Sequence, residues 1–271
     1  MYNKYIFSFW EPKDNMPDYL KLCVNTWKQF MPEYEIVMLD YKNIWDWLEE
    51  DIFYKKLFKY FSLPKQSDVI RCAVLHKYGG VWFDTDTILV NESINSLVKN
   101  SLAQAEICLT ETPIKYHPYT GMIFAVKGSE IMHQCVVAAE KRIQEFGKPK
   151  SQLILTKIFN NKKYKAYKNW DFLGNAILDK IIDGKDRTRY LPFYNDDIKA
   201  FPETIKYPEL TRREAYCKFW FQDNYSLSDL SPDSKVICLH NSWTPKEYCL
   251  MNESEFLKQN ITLSHVLKEL M

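Results

Sequence analysis

The N-terminal part of the chain contains two apolar segments that flank a helical one. Residues 5–10, "YIFSFW", are typical of a buried strand and run into the turn-rich "EPKDNMP". Residues 18–30 repeat apolar side chains at helical spacing, and residues 34–40, "YEIVMLD", return to strand character. A strand, a helix and a strand in this order predict two parallel strands joined by a crossover helix. The chain is therefore expected to adopt an α/β fold.

The carboxyl ends of these two strands are the expected place for a ligand. In open α/β sheets, ligands bind outside the carboxyl ends of the strands. Trp10 follows the first predicted strand and Asp40 follows the second. Both side chains are therefore expected at the ligand-binding edge of the sheet.

The rest of the sequence predicts a less regular alternation of helices and strands. An amphipathic helix is expected over residues 43–60 and another over 64–78, with Pro64 near its start and the pair Gly79-Gly80 as its end. Later strands are expected in 106–111, 122–128 and 234–243, and later helices over 130–146, 151–159, 172–183 and 253–270. No repeat, low-complexity tract or linker divides the sequence, which favours a single domain over residues 1–271.

The composition indicates a globular protein without general affinity for polyanions. Of the 271 residues, 46% are hydrophobic and 15% aromatic, which is enough for a sizeable core. The 36 basic and 35 acidic residues leave a net charge of +1. Binding to nucleic acid is therefore not expected, and an anionic partner must be bound by a local site.

The cysteines and the apolar runs bear on the expected location. The seven cysteines form no CxxC pair, which is typical of small buried side chains in a reducing compartment. The apolar stretch near the start is too short for a signal peptide, and no run approaches the roughly 18 apolar residues of a membrane span. A cytoplasmic protein is expected.

Two aspartates, Asp84 and Asp86, interrupt an apolar strand in "VWFDTD", directly after the glycine pair. In an extended chain both carboxylates would point to one side, with Thr85 opposite. Carboxylates this close repel each other unless a positive group lies nearby. A hard divalent cation such as Mg²⁺ or Mn²⁺ takes oxygen ligands of this kind together with substrate phosphates. The alternative is a solvent-exposed turn that the two aspartates cap.

Asp68 and Arg71 lie three residues apart in "SDVIR", on one face of the helix that ends at the same glycines. They are expected either to form an ordinary ion pair within that helix or to join the two aspartates in one site. The combined pattern, "SD..R......YGG.W.D.D", is far more specific than any of its parts.

Two stretches, "FSFWEPKDNMPDYLKLCVNTWKQFMPEYEIVMLD" and "SDVIRCAVLHKYGGVWFDTDTIL", resemble the bacterial capsular polysaccharide synthesis glycosyltransferases. They are similar more broadly to the DXD sugar transferases of glycosyltransferase family 32 and to the catalytic domain of the large clostridial glucosylating toxins. The resemblance is strong over residues 5–90 and much weaker beyond them. It implies a Rossmann-like GT-A fold with helical additions, in which residues 1–90 bind the nucleotide sugar and 91–271 form the acceptor side and a metal- or phosphate-binding segment.

The resemblance further implies an enzyme of the hexosyltransferase type. Such an enzyme moves a sugar from a nucleotide-diphosphate sugar, here UDP-hexose or UDP-N-acetylhexosamine, with retention of configuration. The implied acceptor is a growing capsular or other surface glycan or a lipid-linked oligosaccharide, and the implied cofactor is Mn²⁺ or Mg²⁺.

Carried over by position, the resemblance assigns roles to the early site residues. Trp10 would stack on the nucleotide base, Asp68 and Arg71 would hold hydroxyls of the donor sugar, Asp84 would hold the ribose or the sugar, and Asp86 would bind the metal. An aromatic face suits such stacking, and a metal beside a diphosphate stabilises the departing nucleotide. The alternative for Trp10 is a plain core residue.

Two later segments are matched less closely. His240, Ser242 and Trp243 in "HNSW" follow an apolar strand, and the resemblance implies a metal contact from the histidine and phosphate contacts from the other two. A purely structural histidine is the alternative. Gly174 and Asn175 in "FLGNAIL" stand where many relatives have Gly-Pro, and they are expected on the acceptor side.

A phosphatase of the haloacid dehalogenase type is one alternative function, since its strand also ends in D-x-D. That motif requires threonine at the position of Ile88 and usually lies near the N-terminus, whereas 83 residues precede Asp84. The pair Asp196 and Asp197 would serve as its second acidic site.

A non-catalytic carbohydrate- or membrane-binding protein is the other alternative. The aromatic and basic stretches 53–61 and 161–170, and the closing helix, would suit contact with anionic lipid at the inner face of a membrane. Each stretch also suits a solvated helix with a buried apolar stripe. Two intact carboxylates, Asp84 and Asp86, favour an active enzyme.

Overall fold

The computed structural model describes residues 3–49, 58–111, 118–148, 153–182, 190–192, 200–230 and 232–271. The strands are β1 (Tyr5–Phe9), β2 (Glu35–Leu39), β3 (Gly80–Phe83), β4 (Thr87–Leu89), β5 (Ile107–Glu111), β6 (Pro118–Ala125), β7 (Tyr190–Pro192) and β8 (Val236–Cys238). The helices are α1 (Asp18–Phe30), α2 (Ile44–Trp47), α3 (Leu63–Tyr78), α4 (Ser93–Gln104), α5 (Glu130–Phe146), α6 (Leu153–Phe159), α7 (Asn161–Lys168), α8 (Asn175–Ile182), α9 (Pro202–Lys206), α10 (Arg212–Phe221), α11 (Lys246–Cys249), α12 (Glu253–Leu257) and α13 (Thr262–Glu269). Short 3₁₀ helices cover Lys13–Asn15, Leu227–Asp229 and Asn241–Trp243.

The strands form a mixed main sheet and a small second sheet. The main sheet has the order β2-β1-β3-β6-β5-β7, and β4 pairs with β8 in the second sheet. β1 is parallel to β2, with Phe9 opposite Leu39, and it is also parallel to β3. β6 runs antiparallel to β3 and to β5. The predicted α/β fold with a parallel pair joined by a helix is confirmed, and β1, β2 and β3 have their carboxyl ends at one edge.

Alternate side chains of the central strands enter two cores on opposite faces of the main sheet. In β3, Val81 and Phe83 pack in the same core as α1, whereas Trp82 packs in the core of α3 and α5. The period of two follows from the pleat of a strand, and burial of both faces explains the nearly continuous apolar runs. Asp84 comes two residues after Trp82, and its side chain contacts α3.

The end of α3 and the start of β3 depend on two glycines. Gly79 ends the helix with a φ of +67° and Gly80 opens the strand with a φ of +106°, as the predicted stop signal requires. A Cβ on Gly80 would lie 2.7 Å from the Tyr5 carbonyl oxygen in β1. Glycine at this position therefore allows β3 to lie beside β1, with α3 packed over the edge that carries the site.

Two predicted helices differ from the structure. In place of one helix over 43–60, the described residues contain the four-residue α2, which ends because Leu48 is extended, with φ −121° and ψ 145°; residues 50–57 lie outside the described residues. In place of one helix over 253–270 there are α12 and α13, separated by the extended Ile261, with φ −132° and ψ 154°. Both helices are predicted too long because the helical spacing of apolar residues in the sequence continues through the two breaks.

The cysteines agree with the sequence analysis. All seven are free thiols, and Cys23, Cys72, Cys108, Cys135 and Cys238 are buried. Among the described residues, no helix is long and apolar enough to cross a lipid bilayer.

Candidate active site

The "VWFDTD" segment ends a strand and turns sharply. β3 stops at Phe83, and the Thr87 backbone N–H donates to the Asp84 carbonyl oxygen at 3.0 Å, which closes a turn. The expectation that Asp84 and Asp86 point to one side of an extended chain, with Thr85 opposite, is therefore wrong. The alternative of two solvent-exposed caps is also wrong for Asp86, whose side chain is buried.

The same turn joins the two sheets. The Asp84 backbone N–H donates to the Gly121 carbonyl oxygen of β6 in the main sheet, at 2.7 Å. The Asp86 carbonyl oxygen accepts from the backbone N–H of Leu239, just after β8, at 3.0 Å. Each aspartate is thus fixed by a different sheet.

Arg71 links the helix to the first of the two aspartates. Its Nη2 lies 3.2 Å from Asp68 Oδ1 and 3.4 Å from Asp84 Oδ1. Nη1 donates to the Thr120 carbonyl oxygen, and the guanidinium lies over the Trp82 ring, 5.1 Å from its centroid. Arg71 therefore forms the expected ion pair within the helix and also contacts the first of the two aspartates.

Asp84 is the exposed member of this group. Its side chain is 32% exposed, against 5% for Arg71 and 6% for Asp68. Trp82 Nε1 donates to Asp84 Oδ1 at 2.8 Å, so that oxygen is held from two sides. The carboxylate is therefore oriented by buried neighbours while part of it remains accessible to a ligand.

Asp68 lies against the backbone of the later motif. Burial raises the pKa of Asp68 to about 7, although the nearby Arg71 charge lowers it. A Cβ added to Gly174 would lie 2.3 Å from Asp68 Oδ2, which means that no larger residue fits there without displacing the carboxylate. The structure thus brings Gly174 to the site, next to Asp68.

Two polar side chains beside this contact keep unused acceptor atoms. Asn175 begins α8, and its Oδ1 is a buried atom that lacks a hydrogen-bond partner among the described residues. Asp171 Oδ1 is also buried and lacks a hydrogen-bond partner among the described residues. Unpaired buried acceptors are costly, and a ligand that donates hydrogen bonds would satisfy them.

Asp86 is held from the C-terminal side. Its Oδ2 accepts from the backbone N–H of Asn241 at 2.8 Å. Burial raises the pKa of Asp86 to about 7, and the neighbouring Asp84 charge adds to this effect. A bound cation would favour the ionised form.

His240 is packed among rings and faces a cation. Its ring stacks on Phe201 at a centroid distance of 5.5 Å and lies 4.2 Å from Trp243. Its Nε2 lies 3.1 Å from Nη2 of Arg212, which can only donate. Burial, with the Arg212 charge, lowers the pKa of His240 to about 3. The imidazole is therefore neutral, and in this arrangement its Nε2 is occupied by the guanidinium.

The remaining members of the predicted site lie at the same edge but are held differently. Trp10 is half-buried at the end of β1, and its backbone N–H donates to the Leu39 carbonyl oxygen at 3.0 Å. Asp40 is buried and accepts from the backbone N–H groups of Lys42 and Asn43, at 2.8 and 3.1 Å. Asp40 therefore caps a turn, which accounts for this carboxylate without a ligand.

In the late segment, Ser242 is exposed and Trp243 is half-buried. Both follow Asn241, whose backbone holds Asp86. The "HNSW" segment is therefore adjacent to the second aspartate.

The residue missed by the sequence analysis is Arg212. Its guanidinium lies over the rings of Phe201 and Trp243, 5.3 and 5.9 Å from their centroids, and its buried Nε lacks a partner among the described residues. The sequence around Arg212 indicates only the start of a helix, through the capping box of Thr211 and Glu214. No pattern in the sequence links this helix to "HNSW".

The acidic pair is suited to a divalent cation that is shared with a ligand. Across the described residues no group of three or more His, Cys, Asp and Glu side chains forms a complete metal site. Asp84 and Asp86 would supply oxygen ligands, and the raised pKa of Asp86 reflects in part the repulsion that a cation would relieve. Mg²⁺ and Mn²⁺ are commonly bound through one or two carboxylates and completed by phosphate oxygens and water.

The described residues of the proposed phosphatase motif do not support the phosphatase alternative. Ile88, at the position that requires threonine, is fully buried in β4 and cannot bind phosphate. Asp196 and Asp197 lie outside the described residues.

Comparison with solved structures finds glycosyltransferases of low sequence identity. The PaToxG glycosyltransferase is 15% identical, with 79% of this chain and 77% of that chain covered and a TM-score of 0.44. A glycosyltransferase involved in glycosylation of the major capsid of PBCV-1 is 12% identical, with 90% and 97% covered and a TM-score of 0.43. The glycosyltransferase GlyE of Streptococcus pneumoniae TIGR4 is 9% identical, with 99% and 63% covered and a TM-score of 0.47.

A sequence comparison with curated proteins finds no match. A family profile, described as capsular polysaccharide synthesis protein, matches residues 1–159. The match includes both stretches that carry the resemblance and the whole Asp68, Arg71, Asp84 and Asp86 group. The chain therefore belongs to the capsular polysaccharide synthesis protein family.

Proposed function

We propose that this protein is a GT-A glycosyltransferase that moves a hexose or N-acetylhexosamine from a nucleotide-diphosphate sugar to a growing capsular or other surface glycan. Family membership supports a role in capsule synthesis. The observation that carries the enzymatic proposal is the group in which Arg71 contacts both Asp68 and Asp84 at the carboxyl edge of the parallel strands. Oriented carboxylates and a guanidinium at this edge suit a polar ligand that is rich in hydroxyls.

The donor sugar is assigned to the region between α3 and the start of α8. Asp68 and Arg71 are preorganised there by mutual contact, and Gly174 closes the space behind the Asp68 carboxylate. Asn175 and Asp171 provide buried acceptor oxygens that sugar hydroxyls would satisfy. We assign Gly174 and Asn175 to the sugar-binding side, where the donor meets the acceptor.

The nucleotide is assigned to the open end of β1. Trp10 presents a half-buried ring at this edge, and aromatic rings bind flat bases by stacking. The proposed base is uracil. Asp84, which is partly exposed and oriented by Trp82, would accept a hydrogen bond from a ribose or sugar hydroxyl.

The diphosphate is assigned to the space between Asp86 and the "HNSW" segment. A Mn²⁺ or Mg²⁺ ion bound there by Asp86, with Asp84 beside it, would neutralise charge on the departing nucleotide diphosphate. Ser242 and Arg212 would donate hydrogen bonds to phosphate oxygens, and Trp243 would provide its indole N–H. His240 as an additional metal ligand stays a prediction, since it would require Arg212 to leave Nε2.

The proposed reaction retains the anomeric configuration, so an α-linked donor would give an α-linked product. NMR of the first-formed product would test this, and a β-linkage would refute it. A cytoplasmic location is proposed as well, and the seven free thiols support a reducing compartment.

The decisive experiment measures donor use directly. The protein is titrated calorimetrically with UDP and with GDP, with and without Mn²⁺, and a panel of nucleotide sugars is screened for slow hydrolysis. Metal-dependent UDP binding that Trp10→Ala abolishes is the expected result. Tighter binding of GDP would refute the base, and hydrolysis of sugar phosphates in place of nucleotide sugars would favour a phosphatase.

A further inference from the structure

Four large apolar side chains are exposed within one short helical hairpin. On α6, Ile154 and Ile158 lie one turn apart and are 54% and 66% exposed, and Phe159 at its end is 83% exposed. Trp170, just after α7, is 68% exposed. A folded protein seldom leaves several such side chains together in water unless they contact a partner.

The same hairpin concentrates positive charge. Residues 153–170 contain five lysines, Lys157, Lys162, Lys163, Lys165 and Lys168, and no acidic residue, in a chain whose net charge is only +1. All five lysines are exposed. We call the set of Ile154, Lys157, Ile158, Phe159, Lys162, Lys165 and Trp170 the lysine-aromatic surface.

The hairpin is anchored to the body of the protein by its other face. Tyr167 stacks on Phe146 of α5 at 5.4 Å with an interplanar angle of 8°, and its carbonyl oxygen accepts from Lys65 Nζ at 2.5 Å. Lys65 itself is buried beneath the hairpin. The apolar stripe of α7 is therefore satisfied by the core, and the exposed rings are additional to it.

We propose that the lysine-aromatic surface binds the anionic surface of a lipid bilayer. Aromatic and aliphatic side chains would enter the boundary between headgroups and acyl chains, and the lysines would lie at the level of the lipid phosphates. Lysines near an anionic bilayer are attracted by its negative surface potential. A protein partner with an acidic surface would match the lysines but would not need four exposed apolar side chains.

The other two stretches considered for lipid contact differ in this respect. The closing helix α13 buries Leu263, Val266 and Leu267 in the core, so its apolar face is already covered. Of the stretch 53–61, residues 53–57 lie outside the described residues. The hairpin is the stretch for which exposure and charge coincide.

The position of the hairpin suggests why the protein would bind a membrane, an inference that rests on the proposed function. Trp170 is four residues from Gly174, whose backbone lies against Asp68. A bilayer on the lysine-aromatic surface would therefore lie close to the sugar-binding side of the site. The acceptor class that fits this placement is a glycan carried on a membrane lipid.

The test is vesicle flotation of the full chain and of three variants. The vesicles contain phosphatidylcholine alone or equal parts of phosphatidylcholine and phosphatidylglycerol. Phe159→Ser with Trp170→Ser removes apolar contact, and Lys162→Glu with Lys165→Glu reverses charge. The matched control combines Leu250→Ser, a side chain that is 85% exposed elsewhere, with the exposed Lys258→Glu.

We expect the parent and the control to float with the anionic vesicles and not with phosphatidylcholine alone. Each of the two surface variants should lose about tenfold or more in partition coefficient. Raising the salt from about 0.1 M to about 1 M should weaken binding, because the Debye length falls from about 10 Å to about 3 Å. Thermal melts and UDP titrations of the variants should match those of the parent, so a failed donor assay would not be mistaken for failed membrane binding.

Three outcomes would overturn the proposal. They are equal flotation with both vesicle types, parental flotation of both surface variants, and the absence of flotation by the parent. A concentration-dependent dimer in sedimentation that the Phe159 and Trp170 substitutions abolish, without lipid binding, would assign the surface to a second copy of the chain instead.

Discussion

Arg71 is the side chain that sets the distances within the candidate site. It is buried, and its guanidinium has two carboxylates, a carbonyl oxygen and an indole ring around it. The two carboxylates balance the desolvation of the charge, and the planar fork limits where each one can lie. The exposed Asp84 is therefore preorganised by a residue that a ligand need not displace.

The two aspartates should respond differently to neutralisation. Asp86→Asn keeps the size of the side chain and removes the charge, so we expect loss of nearly all metal-dependent UDP binding and most turnover in a folded protein. Asp84→Asn should lose turnover and keep more of the metal dependence, because its assigned partner is a hydroxyl. Calorimetric titration of UDP with and without Mn²⁺, beside thermal melts, measures both. If Asp86→Asn binds metal and nucleotide as the parent does, Asp84 and Asp86 only cap a turn and the site assignment is wrong.

Gly174 provides a steric test of the donor-sugar site. In Gly174→Ala the new methyl group would lie 2.3 Å from Asp68 Oδ2, and the carboxylate must move. We expect hydrolysis of the nucleotide sugar to fall by about tenfold or more, since small displacements of a positioning group are costly, while UDP binding persists. Gly128→Ala is the control, because its added Cβ has no heavy atom within 4 Å. Equal losses in the two variants would mean that Asp68 does not position the sugar.

Glu203 gives the stability of the protein a pH dependence that is separate from the site. It is fully buried, and Trp220 Nε1 donates to its Oε2 at 3.2 Å. Burial raises its pKa from 4.5 to about 7. Because the folded state holds this proton more tightly, the contribution of Glu203 to stability is greatest below pH 4.5 and is lost as the pH rises to about 7.

Replacing Glu203 with glutamine should remove this dependence. At pH above the folded-state pKa we expect Glu203→Gln to raise the free energy of unfolding by on the order of 2 kcal/mol relative to the parent, and the gain should vanish in acid. Urea unfolding over a pH series measures it, with the exposed Glu209→Gln as the control. A gain that does not change with pH would assign the effect to packing instead of ionisation.

At the scale of elements, the junction of α3 and β3 places the site. The helix carries Asp68 and Arg71, the strand leads to Asp84, and two residues with positive φ, Gly79 and Gly80, join them. The tight connection between α3 and β3 therefore determines where the Arg71 guanidinium lies relative to Asp84 at the end of the strand.

The junction can be tested against Gly128, which also has a positive φ but lies in free space. Gly80→Ala should destabilise by roughly 3 kcal/mol or more, since it adds both an unfavourable φ and a contact of 2.7 Å with the Tyr5 carbonyl oxygen. Gly128→Ala, at a φ of +78° in open space, should cost only about 1 kcal/mol. Urea unfolding of both variants gives the comparison. Similar costs would show that the approach of β1 is not what requires glycine.

The elements that could be predicted from the sequence are those with local start and stop signals. α1 and α3 agree with prediction because apolar spacing coincides with a proline near the start or a glycine at the end. The helix predicted over 253–270 is wrong in its length: the capping box of Asn252 and Glu255 starts α12 at the predicted position, but the extended Ile261 separates α12 from α13. Apolar periodicity resumes at α13 and conceals the break.

The candidate site divides in the same way. Asp68, Arg71, Asp84 and Asp86 could be grouped from the sequence because they lie on adjacent elements whose junction the glycines mark. Arg212 could not be grouped with them, since its approach to His240 depends on the packing of α10 against the end of β8. Contacts between distant segments leave no periodic trace in either segment.

At the scale of the whole molecule, two cores lie on opposite faces of the main sheet and the candidate site lies where that sheet meets the second one. The first core includes α1, α10 and α13, and the other includes α3, α5 and α8. The residues proposed to bind the donor sugar lie on elements that pack in the second core, and those proposed to bind the diphosphate lie on or beside elements that pack in the first. A ligand at the edge would contact both.

The turn between Asp84 and Asp86 has a mechanical consequence. Because the Asp84 backbone is hydrogen-bonded to β6, and Asp86 is hydrogen-bonded to the segment after β8, the two aspartates are attached to different sheets. The proposed ion, if bound by both carboxylates, would connect the two sheets across this boundary. Binding of the ion and the nucleotide would then restrain the segment after β8 relative to the main sheet.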